Sequence, residues 1–320
     1  MGRPGGDGVT KAIVFAYHNV GVRCLSVLLA HGVDVVRVVT HSDSPGETIW
    51  FDSVAELAAR HDIPVITPED PNDPAIVAEL AALQADFLFS FYYRLMLKAP
   101  LLAMPRHGAW NMHGSLLPKY RGRVPVNWAI IHGERETGAT LHQMLEKPDA
   151  GGIVAQQAVP ILPDDTAFEV FAKVTLAAEM ALHRVLPDLL AGRAVAKAQD
   201  LAAGSYFGGR KAEDGRIDWA RPAATVHNLI RAVAPPYPGA FADTPRGRLK
   251  VLRSLHPTDE IGPHGGRPTL FASNGQLYAE CGDGRLLRLL AVELEGSPLT
   301  ATSTSDQINA IFGTSALSLS

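Results

Sequence analysis

Cysteine is almost absent from this chain: of 320 residues only Cys24 and Cys281 carry a thiol. Two thiols that far apart form neither a disulfide framework nor a C-x-x-C zinc or redox pair, so both read as buried or incidental groups. An excess of charge of one sign is missing too. The 29 Lys and Arg against 33 Asp and Glu leave a formal net charge of −4, and without a basic surface nucleic acid is not expected as the main partner. No apolar run reaches the roughly 18 to 20 residues of a transmembrane helix, and the Gly-rich stretch before Lys11 has no apolar core to act as a signal peptide. Membrane insertion is therefore not expected; the chain reads as soluble and cytoplasmic, with residues 1–10 as a disordered leader.

Several chemical fingerprints are missing as well. The turn after the first apolar run is Tyr17-His18-Asn19-Val20-Gly21 and has too few glycines for a G-x-G-x-x-G dinucleotide site. There is no Walker loop, no H-E-x-x-H, no G-x-S-x-G and no clustered Cys or His at metal spacing. ATP hydrolysis, zinc proteolysis and serine hydrolysis lose their support, and no metal is expected.

What is present is a foldable, mainly apolar chain, 47% hydrophobic and 19% charged, long enough for two domains at about 150 residues each. Its first part alternates β-branched runs with helical patterns, the signature of a parallel sheet covered by helices. The spacing predicts strands at 12–16, 33–40, 64–67, 85–93, 108–113, 138–144 and 153–161. It predicts helices at 20–30, 53–61, 73–83 (Asp73 as N-cap, Pro74 first in the helix), 97–102 and 167–186. From residue 203 Gly and Pro recur, the helical signal shrinks to 223–233, and strands are expected at 248–253 and 287–294, which suggests a smaller, mainly β second domain. The expected division is 11–202, 203–300 and a Ser/Thr-rich tail at 301–320 with a short helical pattern at 306–311.

The densest polar block, NMHGSLLPKYRGR at 111–123, falls where a strand should end. Residues two apart in a strand share a face, so Asn111 and His113 project together at the edge of an α/β sheet where ligands bind. The loop KPDAGG at 147–152 follows another strand and can bring Asp149 to the same edge. An imidazole to take an amine proton, an amide to donate to an oxyanion and a carboxylate to hold the imidazolium suffice for acyl transfer through a tetrahedral intermediate, with no covalent enzyme intermediate. An N-x-H pair at a strand end is also what a structural hydrogen-bonded pair looks like. The basic turn of Lys119, Arg121 and Arg123 reads either as solvated charge or as a substrate-facing loop suited to a diphosphate, with Tyr120 between them and Arg210 as a further candidate.

Together, N-x-H-x-S-L-L-P-x-Y-R-G and D-A-G-G resemble the signature of folate-dependent formyltransferases. The resemblance implies a Rossmann-like catalytic domain, a smaller C-terminal OB-like barrel, catalytic roles for Asn111, His113 and Asp149, and 10-formyltetrahydrofolate as formyl donor. It places the pterin beside residues 87–93 and the Asp149 loop, with Phe89, Tyr92, Tyr93 and Leu117 as contacts. The similarity is closer to one branch, the formyltransferase domain of the bifunctional polymyxin-resistance enzymes, whose substrate is UDP-4-amino-4-deoxy-L-arabinose on the way to lipid A modification. It runs through FAYH at 15–18, THSDSPGE at 40–47, FSFYYR at 89–94, 113–128, TGATLH at 137–142 and RAVAPPYPGAF at 231–241. Because the chain stops at Ser320 with no Gly-rich fingerprint and no room for the second catalytic domain of those enzymes, it is expected to be a stand-alone formyltransferase or a piece of a longer chain.

Three readings stay open: a formyltransferase for this or another UDP- or dTDP-linked 4-amino sugar, a methionyl-tRNA formyltransferase, and a binding module without turnover. The charge of −4 and the neutral-to-acidic stretch HSDSPGE at 41–47, where the tRNA enzymes resemble one another in a basic insertion, favour the first. Tyr92 and Tyr93 read equally as core and as stacking groups. His142, His18 and His132 read as structural histidines. Trp50 and Phe51 either cover a ligand or pack down.

Overall fold

The computed structural model describes residues 9–44, 46, 48–244, 247–299 and 316–319; the leader and the 306–311 helical pattern lie outside them. The chain forms two compact units. One comprises Met1–Arg123, Thr137–Val159 and Ala172–Phe207, the other Val124–Glu136, Pro160–Phe171 and Gly208–Ser320.

In the first unit, strands β1 (Lys11–Ala16), β2 (Asp34–Val39), β3 (Val65–Ile66), β4 (Phe87–Phe91) and β5 (Ala109–His113) alternate with helices α1 (His18–Ala30), α2 (Val54–Arg60), α3 (Pro74–Ala82) and α4 (Ala99–Leu102). The helices begin where side chains can satisfy their first N–H groups. Ser53 accepts from the Glu56 N–H, and Asp73 from the Ala75 N–H with Pro74 inside the first turn. After a two-residue strand β6 (Arg121–Gly122) and α5 (Pro125–Ile131) come β7 (Glu136–Gln143) and β8 (Ile153–Pro160). The sheet order is β3-β2-β1-β4-β5-β7-β8. Strands β1 to β5 pair in parallel and β7 runs antiparallel to β5. Every residue of β4 is buried, as expected of a strand covered on both faces. Ile13, Phe15, Val39, Leu80 and Leu88 share one apolar cluster.

The long helix α6 (Ala167–Leu190) runs past Pro187, where the sequence pattern ends at 186. Proline removes one helical bond, yet the Ala191 N–H still reaches the Pro187 carbonyl, and buried Leu186 and Leu189 hold the last turn down. Strand β9 (Tyr206–Phe207) then pairs with β6.

The second unit holds α7 (Ala223–Ala232) and an antiparallel sheet of β10 (Ala240–Thr244), β11 (Gly247–Ser254), β12 (Thr269–Ser273), β13 (Gln276–Glu280), β14 (Leu286–Leu294), β15 (Ser297–Leu299) and β16 (Ala316–Ser318). The order is β10-β11-β14-β13-β12-β16, with β15 on β14. Trp219, Val226, Ile230, Val251 and Leu287 belong to its core. The Rossmann-like domain and the mainly β second domain expected from sequence are thus both present. Strands β12 and β13 escaped the pattern reading although Asn274-Gly275, both at positive φ, joins them, which is the two-residue hairpin signal.

His227 is fully buried in the second unit. Its Nε2–H donates to the Pro163 carbonyl at 2.9 Å, and its Nδ1 lies 2.8 Å from the Ser254 hydroxyl, which can donate to the neutral ring. Burial, reinforced by Arg231 and His256 and only partly offset by the Pro163 hydrogen bond, lowers its pKa from 6.5 to about 4. The unfolded chain therefore binds this proton first, so the contribution is complete above about pH 6.5 and is lost as the pH falls towards 4. Chemical denaturation followed across that range should show stability falling with acid, with a smaller slope in His227→Gln; equal slopes would remove His227 as the cause.

Candidate active site

Strand β5 delivers the first two polar residues. Asn111 and His113 lie on one face and Met112 is buried on the other. Across the sheet Asn111 stands opposite Ser90 of β4 and His142 of β7, and His113 opposite Thr140. The antiparallel return of β7 is what puts a second imidazole beside Asn111.

The hydrogen bonds fix the protonation pattern. His113 Nε2 lies 2.8 Å from the Tyr120 carbonyl, which can only accept, so Nε2 carries the hydrogen and Nδ1 is bare. That Nδ1 is 3.6 Å from Asp149 Oδ1. His142 Nδ1 donates to the Gln143 carbonyl at 2.9 Å, which leaves Nε2 to accept from the Asn111 amide at 3.1 Å. The same Nε2 is 3.5 Å from Asp149 Oδ1. Asp149 Oδ2 accepts the Gly122 N–H at 2.8 Å. Burial by itself would push the Asp149 carboxyl up; the charge that His113 and His142 carry when protonated, with the Gly122 N–H, outweighs it and holds the group well below the usual carboxylate range. An ionised carboxylate thus stands beside His113 Nδ1, the imidazole nitrogen that no protein hydrogen bond occupies.

The loops that make these contacts are themselves tied down. Ser115 donates to the Lys119 carbonyl, Thr140 to the Ser115 carbonyl, and Gln156 to both the Leu117 carbonyl and the Thr140 hydroxyl. Gln199 holds the acidic loop by donating to the carbonyls of Asp149 and Gly151. Gly151 packs so closely on β7 that a Cβ there would sit 1.9 Å from the Gln143 carbonyl oxygen, which accounts for the first glycine of D-A-G-G. Gly122, at φ +98, lies equally close to the Phe207 carbonyl.

Asn111, His113 and Asp149 are therefore brought together as their spacing predicts. His142, read from sequence as a structural histidine, is one, but its partners are the site residues themselves. Gln199 carried no sequence signal at all: an isolated glutamine some 50 positions from Asp149 has no periodicity or motif. Phe89 is fully buried between Phe87 and Phe91, so it backs the strand. Tyr92 is at positive φ and half-buried. Tyr93 stacks on His41 at 4.1 Å, and burial, with Asp70 nearby, pushes its hydroxyl up to about 12. Leu117 is buried. Lys119 and Arg123 are exposed, and Arg123 donates to the Arg94 carbonyl. The Tyr120 ring is buried on Phe207. Arg121 is 9% exposed; it donates to the Leu201 carbonyl, and its Nε has no partner among the described residues. Arg210 belongs to the second unit, where it lies over Trp128.

Comparison with known families agrees with this geometry. Residues 23–186 match the model of the formyl transferase family, and residues 210–307 match the formyl transferase C-terminal domain. The chain belongs to the formyl transferase family.

Solved structures of similar fold include the N-formyltransferase from Helicobacter canadensis in complex with folinic acid and dTDP-3-aminofucose. It shares 22% identity over 88% of this chain and 99% of that one, with a TM-score of 0.68. WlaRD, a sugar 3N-formyl transferase crystallised with dTDP and 5-N-formyl-THF, shares 20% identity over 88% and 97%, with a TM-score of 0.69. A sugar N-formyltransferase from Shewanella sp. FDAARGOS_354 shares 19% identity over 77% and 98%, with a TM-score of 0.62. No helix among the described residues of this formyltransferase is long and apolar enough to cross a membrane, and no group of three or more His, Cys, Asp or Glu there could hold a metal.

Gly151→Ala should push the Asp149 loop away from β7 and separate the carboxylate from His113. The expected result is at least a tenfold loss of turnover, on the order of 1.4 kcal/mol, in a protein whose far-ultraviolet circular dichroism is unchanged. Wild-type turnover in that variant would show that the close packing does not position Asp149.

Proposed function

We propose that this formyltransferase moves the formyl group of 10-formyltetrahydrofolate to the 4-amino group of a nucleotide-linked sugar, with UDP-4-amino-4-deoxy-L-arabinose as the preferred acceptor. On this reading it serves lipid A modification and polymyxin resistance in the cytoplasm. The observation that carries the reaction type is the bare Nδ1 of His113 facing an ionised Asp149, with the Asn111 amide two residues away on the same face.

The residues suit a donor that brings an already activated formyl group. Cys24 and Cys281 are buried, and the Ser115 hydroxyl is committed to the Lys119 carbonyl, so neither thiol nor this hydroxyl is placed to form an acyl-enzyme. The folate supplies a formyl carbon bonded to a nitrogen leaving group. His113 Nδ1 takes the proton of the attacking amine, and the new N–H points at Asp149, which holds the imidazolium. One amide N–H of Asn111 is kept by His142; the other is left to donate to the formyl oxygen as that atom gains negative charge. The proton held on His113 then passes to the departing folate nitrogen.

The Helicobacter canadensis enzyme is in complex with dTDP-3-aminofucose and folinic acid, and WlaRD is in the presence of dTDP and 5-N-formyl-THF, which supports a nucleotide sugar and a folate here by similarity. A buried Arg121 without a carboxylate partner among the described residues suits an anionic ligand, as does the exposed Arg123. On this proposal Tyr93 and the buried Leu117 flank the pterin, with Phe89 behind the strand, while Lys119, Tyr120, Arg121 and Arg123 serve the nucleotide sugar.

Mass spectrometry with 10-formyltetrahydrofolate and UDP-4-amino-4-deoxy-L-arabinose, run beside dTDP-linked 3- and 4-amino sugars and methionyl-tRNA, should show a one-formyl gain on the arabinose nucleotide. Formylation of a different acceptor alone would move the substrate and leave the chemistry. His113→Ala should abolish turnover, and Asn111→Ala should slow it by about 100-fold or more. Wild-type rates in either variant refute the mechanism.

A further inference from the structure

The Tyr120 carbonyl lies 2.8 Å from His113 Nε2 and so decides which imidazole nitrogen carries the hydrogen. That carbonyl needs a hold of its own. Tyr120 has φ +57, a left-handed backbone that a tyrosine keeps only where its surroundings fix it. Its carbonyl and the Arg121 N–H are the two ends of one planar trans peptide and point in opposite directions. Whatever accepts the Arg121 N–H therefore aims the Tyr120 carbonyl. The acceptor is the Ser205 carbonyl, at 3.0 Å. The preceding N–H, that of Tyr120 itself, donates to the Ser205 hydroxyl at 2.8 Å. A single residue more than eighty positions further along the chain thus grips two successive peptides of the turn that faces His113.

Ser205 belongs to a segment, Lys197 to Phe207, that lies wholly in the first unit and touches both sides of the catalytic pair. At its start Lys197 exchanges both backbone hydrogen bonds with Ile153 of β8, each at 2.8 Å. Gln199 then donates to the carbonyls of Asp149 and Gly151. A single 3₁₀ turn, Leu201–Ala203, follows, and the Asp200 side chain caps it by accepting the Ala202 N–H. The turn sets the spacing between the hold on Asp149 and the hold on Tyr120. From it the Leu201 carbonyl accepts from the Arg121 guanidinium at 3.3 Å. Gly204 comes so close to the opposite loop that a Cβ there would stand 2.2 Å from the Pro118 carbonyl oxygen, and the Ser205 N–H donates to that same oxygen at 3.3 Å. Strand β9 completes the attachment by pairing with β6.

We propose that the segment 197–207 is a strap that presets the catalytic pair, and that Ser205 is the positioning residue for His113, acting through the Tyr120 peptide. This rests on the proposed role of His113 as the base, and it adds the residue that keeps the base in its working tautomer. Without the Ser205 hydroxyl the Tyr120 N–H loses its acceptor in a residue only 7% exposed, and a buried donor left unpaired drives the turn to rearrange. The 120–121 peptide then rotates and His113 Nε2–H loses the fixed carbonyl. A ring released in this way can carry its hydrogen on Nδ1, the nitrogen facing Asp149, and that tautomer cannot take the proton of the amine there. Gln199 still holds the Asp149 loop, so the change falls on the base and leaves the carboxylate in place. The effect belongs to the chemical step rather than to binding.

Steady-state kinetics and histidine nuclear magnetic resonance test this together. Ser205→Ala should lower kcat by about tenfold or more while the KM values for the folate and the nucleotide sugar change by less than about twofold. Ser205→Thr keeps the hydroxyl and should restore kcat to within about twofold of wild type. The second readout needs no turnover. With 15N-labelled histidine rings at alkaline pH, the His113 signals, assigned by their loss in His113→Gln, should report a neutral ring with its hydrogen on Nε2 in the wild type and in Ser205→Thr. In Ser205→Ala they should report a mixture of the two tautomers. An unchanged kcat in Ser205→Ala, a threonine variant as slow as the alanine one, or a His113 signal that does not move in Ser205→Ala would overturn the assignment. Should the wild-type protein formylate no acceptor, the proposed function fails, while the tautomer shift in Ser205→Ala still decides whether the strap sets His113.

Discussion

A carboxylate that keeps its charge while largely out of water is the constraint around which the catalytic unit is arranged. Only 14% of the Asp149 side chain is exposed, and burial of an unpaired charge costs several kcal/mol. The site offsets that cost with the Gly122 N–H from the loop after β5 and with the charge that His113 of β5 and His142 of β7 carry when protonated. Each must be held within a few tenths of an ångström. This is why Gly151 lies against the backbone of Gln143 and why Gln199 spends both of its amide hydrogens on the acidic loop.

The sheet makes that convergence possible. In an all-parallel continuation the next strand would have presented its carboxyl end beside His113. The antiparallel β7 runs back instead, and places His142 opposite Asn111 and Thr140 opposite His113. Thr140 then serves as a post for the segment 115–117, accepting from the Leu117 N–H and donating to the Ser115 carbonyl. The same segment ends at Tyr120, whose positive φ turns its carbonyl onto His113. A change of strand direction and one left-handed residue thus determine which imidazole nitrogen is bare.

What could be read from the sequence follows from how local each signal is. Asn111 and His113 were legible because a strand period of two places them on one face without tertiary information. Asp149 was legible because D-A-G-G is compact and both glycines have backbone against them. Helix α5 was not, being only seven residues long, whereas β12 and β13 did carry a local signal, the Asn274-Gly275 turn, that hydrophobic alternation alone passes over. The role of His142 was hidden too. Alternation with apolar neighbours marks it as a buried polar group, but only the β5–β7 register, a long-range fact, shows that its partner is Asn111. The Tyr120 and Arg121 side chains show the converse: a basic aromatic turn looks like a surface loop, yet both are buried once β6 pairs with β9.

The site holds two imidazoles within 3.6 Å of one carboxylate oxygen, and their bonding decides which of them does the work. Both nitrogens of His142 are committed, one to the Gln143 carbonyl and one to the Asn111 amide. Protonating it would break the bond that orients Asn111. His113 gives only Nε2 to the protein. Taking a proton on Nδ1 breaks no hydrogen bond there and creates a donor aimed at Asp149, so the charged state is stabilised in the existing geometry. On the proposed mechanism this asymmetry gives proton transfer to His113 and orientation to His142, and it arises from two backbone carbonyls, of Tyr120 and Gln143, together with the Asn111 amide.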